Sequence, residues 1–135
     1  MGLKRKGRYS YGDSRADLRT FLTGYSEKNK YPIERMEDLR CPCGAEVLTL
    51  LLDDEEGAAV QTCPTCQHQV PVGDSAEFLD DAELGECECP CGGTRFELTV
   101  GSAFYEGSTD VRWFYVGCRC PSCGLVGCYG DWKTP

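Results

Sequence analysis

Four close pairs of cysteines limit what this chain can fold into more than any other feature. They are Cys41-Pro42-Cys43-Gly44, Cys63-Pro64-Thr65-Cys66, Cys89-Pro90-Cys91-Gly92 and Cys120-Pro121-Ser122-Cys123-Gly124. The leading pairs of the two sets lie 48 positions apart (41 to 89) and the trailing pairs 57 (63 to 120), so the second set carries nine extra residues between its pairs. Each intervening segment reads as a hairpin. Thiolates bind zinc tetrahedrally, and a structural site closes with four of them. A hairpin that joins two such pairs offers four sulfurs with little loop entropy left to lose. The repeat predicts two metal sites, Cys41, Cys43, Cys63 and Cys66 in one and Cys89, Cys91, Cys120 and Cys123 in the other. Two Zn²⁺ per chain are expected, with iron in a Cys₄ site as the competing metal.

These residues resemble the zinc ribbon family, in which two cysteine knuckles at the base of a β-hairpin hold one zinc. The resemblance covers roughly residues 40–70 and 87–130. It implies ligand roles for the same eight cysteines. One departure stands out: a ribbon knuckle usually has two residues between its cysteines, whereas both leading pairs here have a single proline. The shorter knuckle puts the usual amide-to-sulfur hydrogen bonds in question. The ribbon fold serves many activities and does not by itself fix one.

At 135 residues the chain is long enough for one or two small domains. A ribbon of ~30–50 residues buries too little apolar surface to fold alone, so metal is the expected staple. Structural zinc supplies ~10–16 kcal/mol of apparent binding free energy in such domains. Eleven cysteines can also mean a secreted disulfide scaffold. The odd count, the CxC and CxxC spacing and the start Met1-Gly2-Leu3-Lys4-Arg5-Lys6, with no apolar stretch after it, argue instead for a reduced, cytoplasmic protein. The longest aliphatic run, Val47 to Leu52, is interrupted by Thr49 and too short to span a bilayer, so no membrane is expected.

Charge divides the chain. Residues 1–40 hold ten Lys/Arg and six Asp/Glu (+4), and residues 41–135 hold four and sixteen (−12). Metal deepens the acidity, since four thiolates and one Zn²⁺ sum to −2. Nucleic-acid binding needs a basic surface to release phosphate counterions. The cysteine-bearing part has the opposite sign, which argues against nucleic acid and for a protein partner with a basic surface.

Read in order, residues 1–12 are a basic, glycine-containing arm, expected to be a loose terminus or to lie on the acidic ribbons. Asp13 or Ser14 can cap a helix whose apolar positions are Leu18, Phe21, Leu22 and Tyr25. Tyr31-Pro32 ends it. Glu46 to Leu52 and Ala58 to Thr62 read as the first hairpin's strands, with residues 53–57 as its tip. Transcript-cleavage factors of RNA polymerase carry an acidic pair at a ribbon tip that helps hold Mg²⁺. Asp53 to Glu56 resemble that placement, and an ordinary acidic turn explains them as well. Asp74 or Ser75 can cap a short acidic connecting helix with Phe78, Leu79 and Ala82 on its apolar face and Gly85 past its end.

In the second ribbon Phe96, Leu98 and Val100 alternate with polar residues. The return strand, Val111 to Val116, is apolar or aromatic on both faces, which suits a central strand or a binding surface. Leu125 to Tyr129 reads as a third strand. His68 beside Cys66 reads as solvated or as a neighbour of the ligands. Cys87, Cys118 and Cys128 are left over. Buried packing, ligand exchange or a second metal, and a nucleophile are the three readings open to them.

The expected fold is small α+β: two zinc-stabilised hairpin ribbons with an N-terminal helix and a short connecting helix. Residues 1–40 form the arm and helix, 41–72 the first ribbon, 73–86 the acidic linker helix and 87–135 the second ribbon. The expected function is a non-enzymatic protein acting through protein–protein contacts, such as an immunity-type inhibitor masking a basic partner. An accessory factor of the transcription or translation machinery is the alternative, and a thiol- or metal-dependent enzyme ranks last.

Overall fold

A computed structural model describes residues 2–53, 55–73 and 75–133. Asp54 at the first tip and Asp74 at the proposed cap lie outside these residues. The architecture is α+β, built mostly from two antiparallel sheets and one α-helix. The larger sheet has the order β1 (Lys4–Lys6), β2 (Tyr9–Tyr11), β10 (Leu125–Lys133), β9 (Val111–Arg119), β8 (Glu97–Phe104) and β3 (Arg35–Leu39). The smaller has β6 (Gln69–Pro71), β5 (Ala58–Thr62), β4 (Thr49–Asp53) and β7 (Gly85–Glu86).

Two free-standing ribbons are therefore not what forms. Each hairpin, β4–β5 and β8–β9, lies inside a wider sheet. The physical reason lies in its faces. Leu98 and Val116 are both fully buried, and so are Thr99 and Tyr115 on the opposite face of the same strands. A hairpin apolar on both sides has to be covered on both sides. One face packs on the smaller sheet, in a core that joins Leu48, Leu50, Ala59 and Val72 to Phe96, Leu98, Phe114 and Val116. The other takes α1 (Arg15–Lys28) through Leu18, Leu22 and Val126. Gly117 permits this approach, since a Cβ there would come within 2.6 Å of Leu22.

The connecting helix is also corrected. In its place stand two single 3₁₀ turns, Ser75–Glu77 and Leu79–Asp81. Ser75 does not cap a helix in this segment: its hydroxyl donates to the Val72 carbonyl and accepts the Ala59 amide at 2.8 Å, which ties the linker to β5. The chain then extends into β7. The basic arm is ordered as the β1–β2 hairpin, and β2 joins the edge of β10 with Leu125 opposite Tyr11.

The lead-in strands cross over. β3, which runs into the first cysteine pair, hydrogen-bonds β8 of the second hairpin, with Leu39 opposite Leu98. β7, which runs into the third pair, bonds β4 of the first hairpin, and the Cys87 amide donates to the Leu50 carbonyl at 2.9 Å. Adding 48 to 39 and 50 gives 87 and 98, so the two exchanges occupy the same place in the repeat. Between them an isolated bridge pairs Leu48 with Phe96, again 48 apart. The two exchanges are reciprocal about that bridge.

Arg15 pins the helix to this crossing. It is 8 % exposed, and its guanidinium donates to the carbonyls of Leu98, Leu39 (3.1 Å) and Glu46 (2.8 Å). Burial lowers its pKa, an effect opposed by the charges of Asp38 and Glu97.

Candidate metal centres

Each cluster forms where two turns meet at the open end of a hairpin. In the first, the turn after β3 brings Cys41 and Cys43, closed by the Gly44 amide donating to the Cys41 carbonyl at 2.8 Å. The turn after β5 brings Cys63 and Cys66, closed by the Gln67 amide on the Cys63 carbonyl at 2.9 Å. The second cluster repeats both turns: the Gly92 amide meets the Cys89 carbonyl, and the Gly124 amide the Cys120 carbonyl, both at 2.7 Å. The last position of each turn is left-handed, with φ of 99° at Gly44, 69° at Gln67, 96° at Gly92 and 83° at Gly124. Glycine fits this conformation without strain, and Gln67 is the exception.

The sulfurs of each cluster all lie within 4.8 Å of one another. Cys41 and Cys66 are 3.4 Å apart, Cys43 and Cys63 3.6 Å, Cys89 and Cys123 3.5 Å, and Cys91 and Cys120 3.6 Å. A tetrahedral ion with metal–sulfur bonds of about 2.3 Å requires edges of about 3.8 Å. The donor set fits a soft metal ion, and two Cys₄ groups can each hold one. In each, the first cysteine of a pair is buried (Cys41, Cys63, Cys89, Cys120) and the second exposed (Cys43, Cys66, Cys91, Cys123).

The shortened CxC knuckle keeps an amide-to-sulfur bond. The Cys43 amide serves the Cys41 sulfur and the Cys91 amide that of Cys89. The longer knuckles supply two each: Cys66 and Thr65 to the Cys63 sulfur, and Cys123 and Ser122 to that of Cys120. The Cys66 amide leads the effects that lower the Cys63 thiol to about 6. At Cys120 burial pushes upward, yet the amides of Cys123 and Ser122 with the neighbouring thiols hold it at about 7. In each cluster the amides of the longer knuckle thus hold one thiol below its ordinary value, toward the thiolate form that binds metal.

The remaining candidates fall elsewhere. His68 is exposed, and it is its backbone carbonyl that accepts the Cys63 amide, at 2.9 Å. Cys87 packs half-buried against the inter-sheet core, where Cys118 is fully buried. Burial raises the Cys118 thiol well above its ordinary value. Cys128 sits with Val126 on the helix side, and burial, then Asp131, pushes it up to about 12. Thiols held protonated in this way make poor nucleophiles. Asp53 does not offer its carboxylate freely at the tip, because it accepts the amides of Glu55 (3.1 Å), Glu56 (3.2 Å) and Glu83 (2.8 Å).

Sequence reasoning missed the polar group that supports both centres. Glu97 is held by Arg119 at 2.7 Å and faces Arg15 at 3.9 Å, while Arg119 also donates to the Gly12 carbonyl. Arg15 lies in a basic N-terminal segment and Arg119 at the end of an apolar strand, and neither position gives a periodic signal of burial. Among the described residues, no helix is long and apolar enough to cross a membrane. Set against known protein families, characterised proteins and solved structures, the chain matches none of them.

Proposed function

We propose that each Cys₄ cluster holds one zinc ion as a structural metal, and that the protein is a non-enzymatic binding module whose acidic surface recognises a basic protein. The closed donor sets support the first part. Four sulfurs complete a tetrahedron and leave no position for water or substrate, which is the pattern of a structural site. The single observation behind the second part is the meeting of two acidic segments distant in sequence. The Glu83 amide on Asp53 and the pairing of β7 with β4 gather the exposed Glu55, Glu56, Asp80, Asp81, Glu83 and Glu86 at one end of the smaller sheet.

A concentrated negative field of this kind speeds encounter with a cationic surface and can imitate phosphate. An inhibitor that masks a basic protein, of the immunity type, fits this reading. The fixed carboxylate of Asp53 weighs against a Mg²⁺-holding tip and so against the transcription-factor alternative. The test is affinity purification from the native host with wild type and with a Glu55→Lys, Glu56→Lys, Asp80→Lys, Asp81→Lys, Glu83→Lys variant. A basic protein held by the first, released by salt and lost with the second is expected. A partner insensitive to both salt and charge reversal, or tight binding to random nucleic acid near physiological ionic strength, would sink the reading.

A further inference from the structure

We infer that the two Cys₄ sites load and lose metal as one cooperative unit. The inference rests on the metal reading above and adds to it a coupling between the sites. Its basis is the exchange of lead-in strands. β3 ends two residues before Cys41 yet is the edge strand of the sheet that carries Cys120 and Cys123. β7 ends three residues before Cys89 yet is the edge strand of the sheet that carries Cys63 and Cys66. Each metal therefore tethers the strand that completes the other metal's sheet. Freeing one knuckle loosens a strand whose hydrogen bonds stabilise the opposite hairpin.

Three further contacts tie the sites together. The buried cysteines of both clusters, Cys41, Cys63, Cys89 and Cys120, belong to one continuous core. The reciprocal Leu48–Phe96 bonds join the strands that leave the two CxC knuckles. Arg15 binds carbonyls from both halves at once: Leu39 before the first knuckle, Glu46 after it, and Leu98 in the second hairpin. Two sites that share strands, core and a buried cation cannot relax independently, and coupling between sites typically changes affinity by about 5- to 150-fold.

The experiment is native mass spectrometry of the metal-free full chain titrated with Zn²⁺. When half of all sites are filled, equal and independent sites leave half of the molecules carrying one ion. Coupling predicts a one-ion species well below that, with metal-free and two-ion molecules dominating. A one-ion population at or above half, in a protein that saturates at two ions, overturns the coupling and leaves the metal reading intact. Failure to take up Zn²⁺ at all overturns both. A Cys63→Ser, Cys66→Ser variant gives a second measure, by chelator competition at its intact Cys89, Cys91, Cys120 and Cys123 site. A loss of about tenfold or more in affinity relative to wild type is expected, and an unchanged affinity contradicts the inference.

Discussion

Leu48 and Phe96 donate to each other: the Leu48 amide reaches the Phe96 carbonyl at 2.8 Å, and the Phe96 amide the Leu48 carbonyl at 2.7 Å. Both side chains are fully buried, and Phe96 meets Tyr129 edge-on at 5.2 Å. Phe96→Ala keeps the bridge's backbone but empties its surroundings, and a Phe-to-Ala cavity costs about 3–5 kcal/mol. Urea unfolding of the metal-loaded protein should report a loss of that size, and a loss under about 1 kcal/mol would show that the site collapses around the gap.

Gln67 and Gly124 occupy equivalent turn positions, with φ of 69° and 83°. A left-handed residue with a side chain carries about 1–2 kcal/mol of strain, partly offset by the extra freedom glycine adds to the unfolded chain. Gln67→Gly should therefore stabilise by about 0.5–1 kcal/mol. Gly124→Ala should destabilise, because its Cβ would also stand 3.1 Å from the Gly12 carbonyl oxygen. Thermal unfolding of both variants checks the pair, and equal signs would refute the account.

Metal content separates ligand from packing cysteines. Elemental analysis of protein purified without added metal should find two equivalents per chain, and one or none would end the two-site reading. Cys120→Ser should retain at most one equivalent. Cys128→Ser should retain both, since Cys128 lies among helix-side apolar residues and donates to the Gly130 carbonyl, at 3.3 Å. Loss of an equivalent there would make it a ligand.

Asp38 gives the fold an acid limit. Its burial works to raise its pKa, yet hydrogen bonds from Arg19 and Thr99 and the charges of Arg19 and Arg15 hold it below the usual carboxylate range. A depressed folded pKa means that the stabilisation is present above the unfolded value of about 3.9 and is lost as pH falls through the folded one. Asp38→Asn should lower stability near neutrality by roughly 1.5–3 kcal/mol and flatten the decline below about pH 4. Denaturant midpoints from pH 7 to 3 measure both effects, and parallel curves for wild type and variant would exclude Asp38 as the cause.

The clustering of the eight cysteines was legible because cysteine spacing is local information. The CxC and CxxC pairs name their partners through the repeat, and the periodicity of Leu18 and Leu22 places the helix. The exchanged strands left no such trace. β7 is two residues, Gly85–Glu86, without apolar alternation, and only its pairing with Leu51 and Leu52 makes it a strand. Phe78, Leu79 and Ala82 mimic a helical stripe, but the Ser75 bonds to β5 hold that segment in single turns. The β1–β2 hairpin, three exposed basic residues against a Tyr-Ser-Tyr strand, exists because β10 has an edge to offer it. Tertiary pairing overrides weak local preference in such short segments.

The crossing of the lead-in strands also sets an order in time. β2, α1 and β3 lie within residues 9–39, while the long strands they pair with or pack on, β8, β9 and β10, lie within residues 97–133. During synthesis these segments have little to form beyond the β1–β2 pairing and the bonds of Arg15 and Arg19 to residues 38–46 until residues 97–133 have been made. Contacts of such long sequence separation make folding slow and leave strand edges open meanwhile. The first cysteine cluster can be assembled before then, but without β7 and without the core it shares with the second. The larger sheet closes only when β10, which joins β2 to β9, arrives.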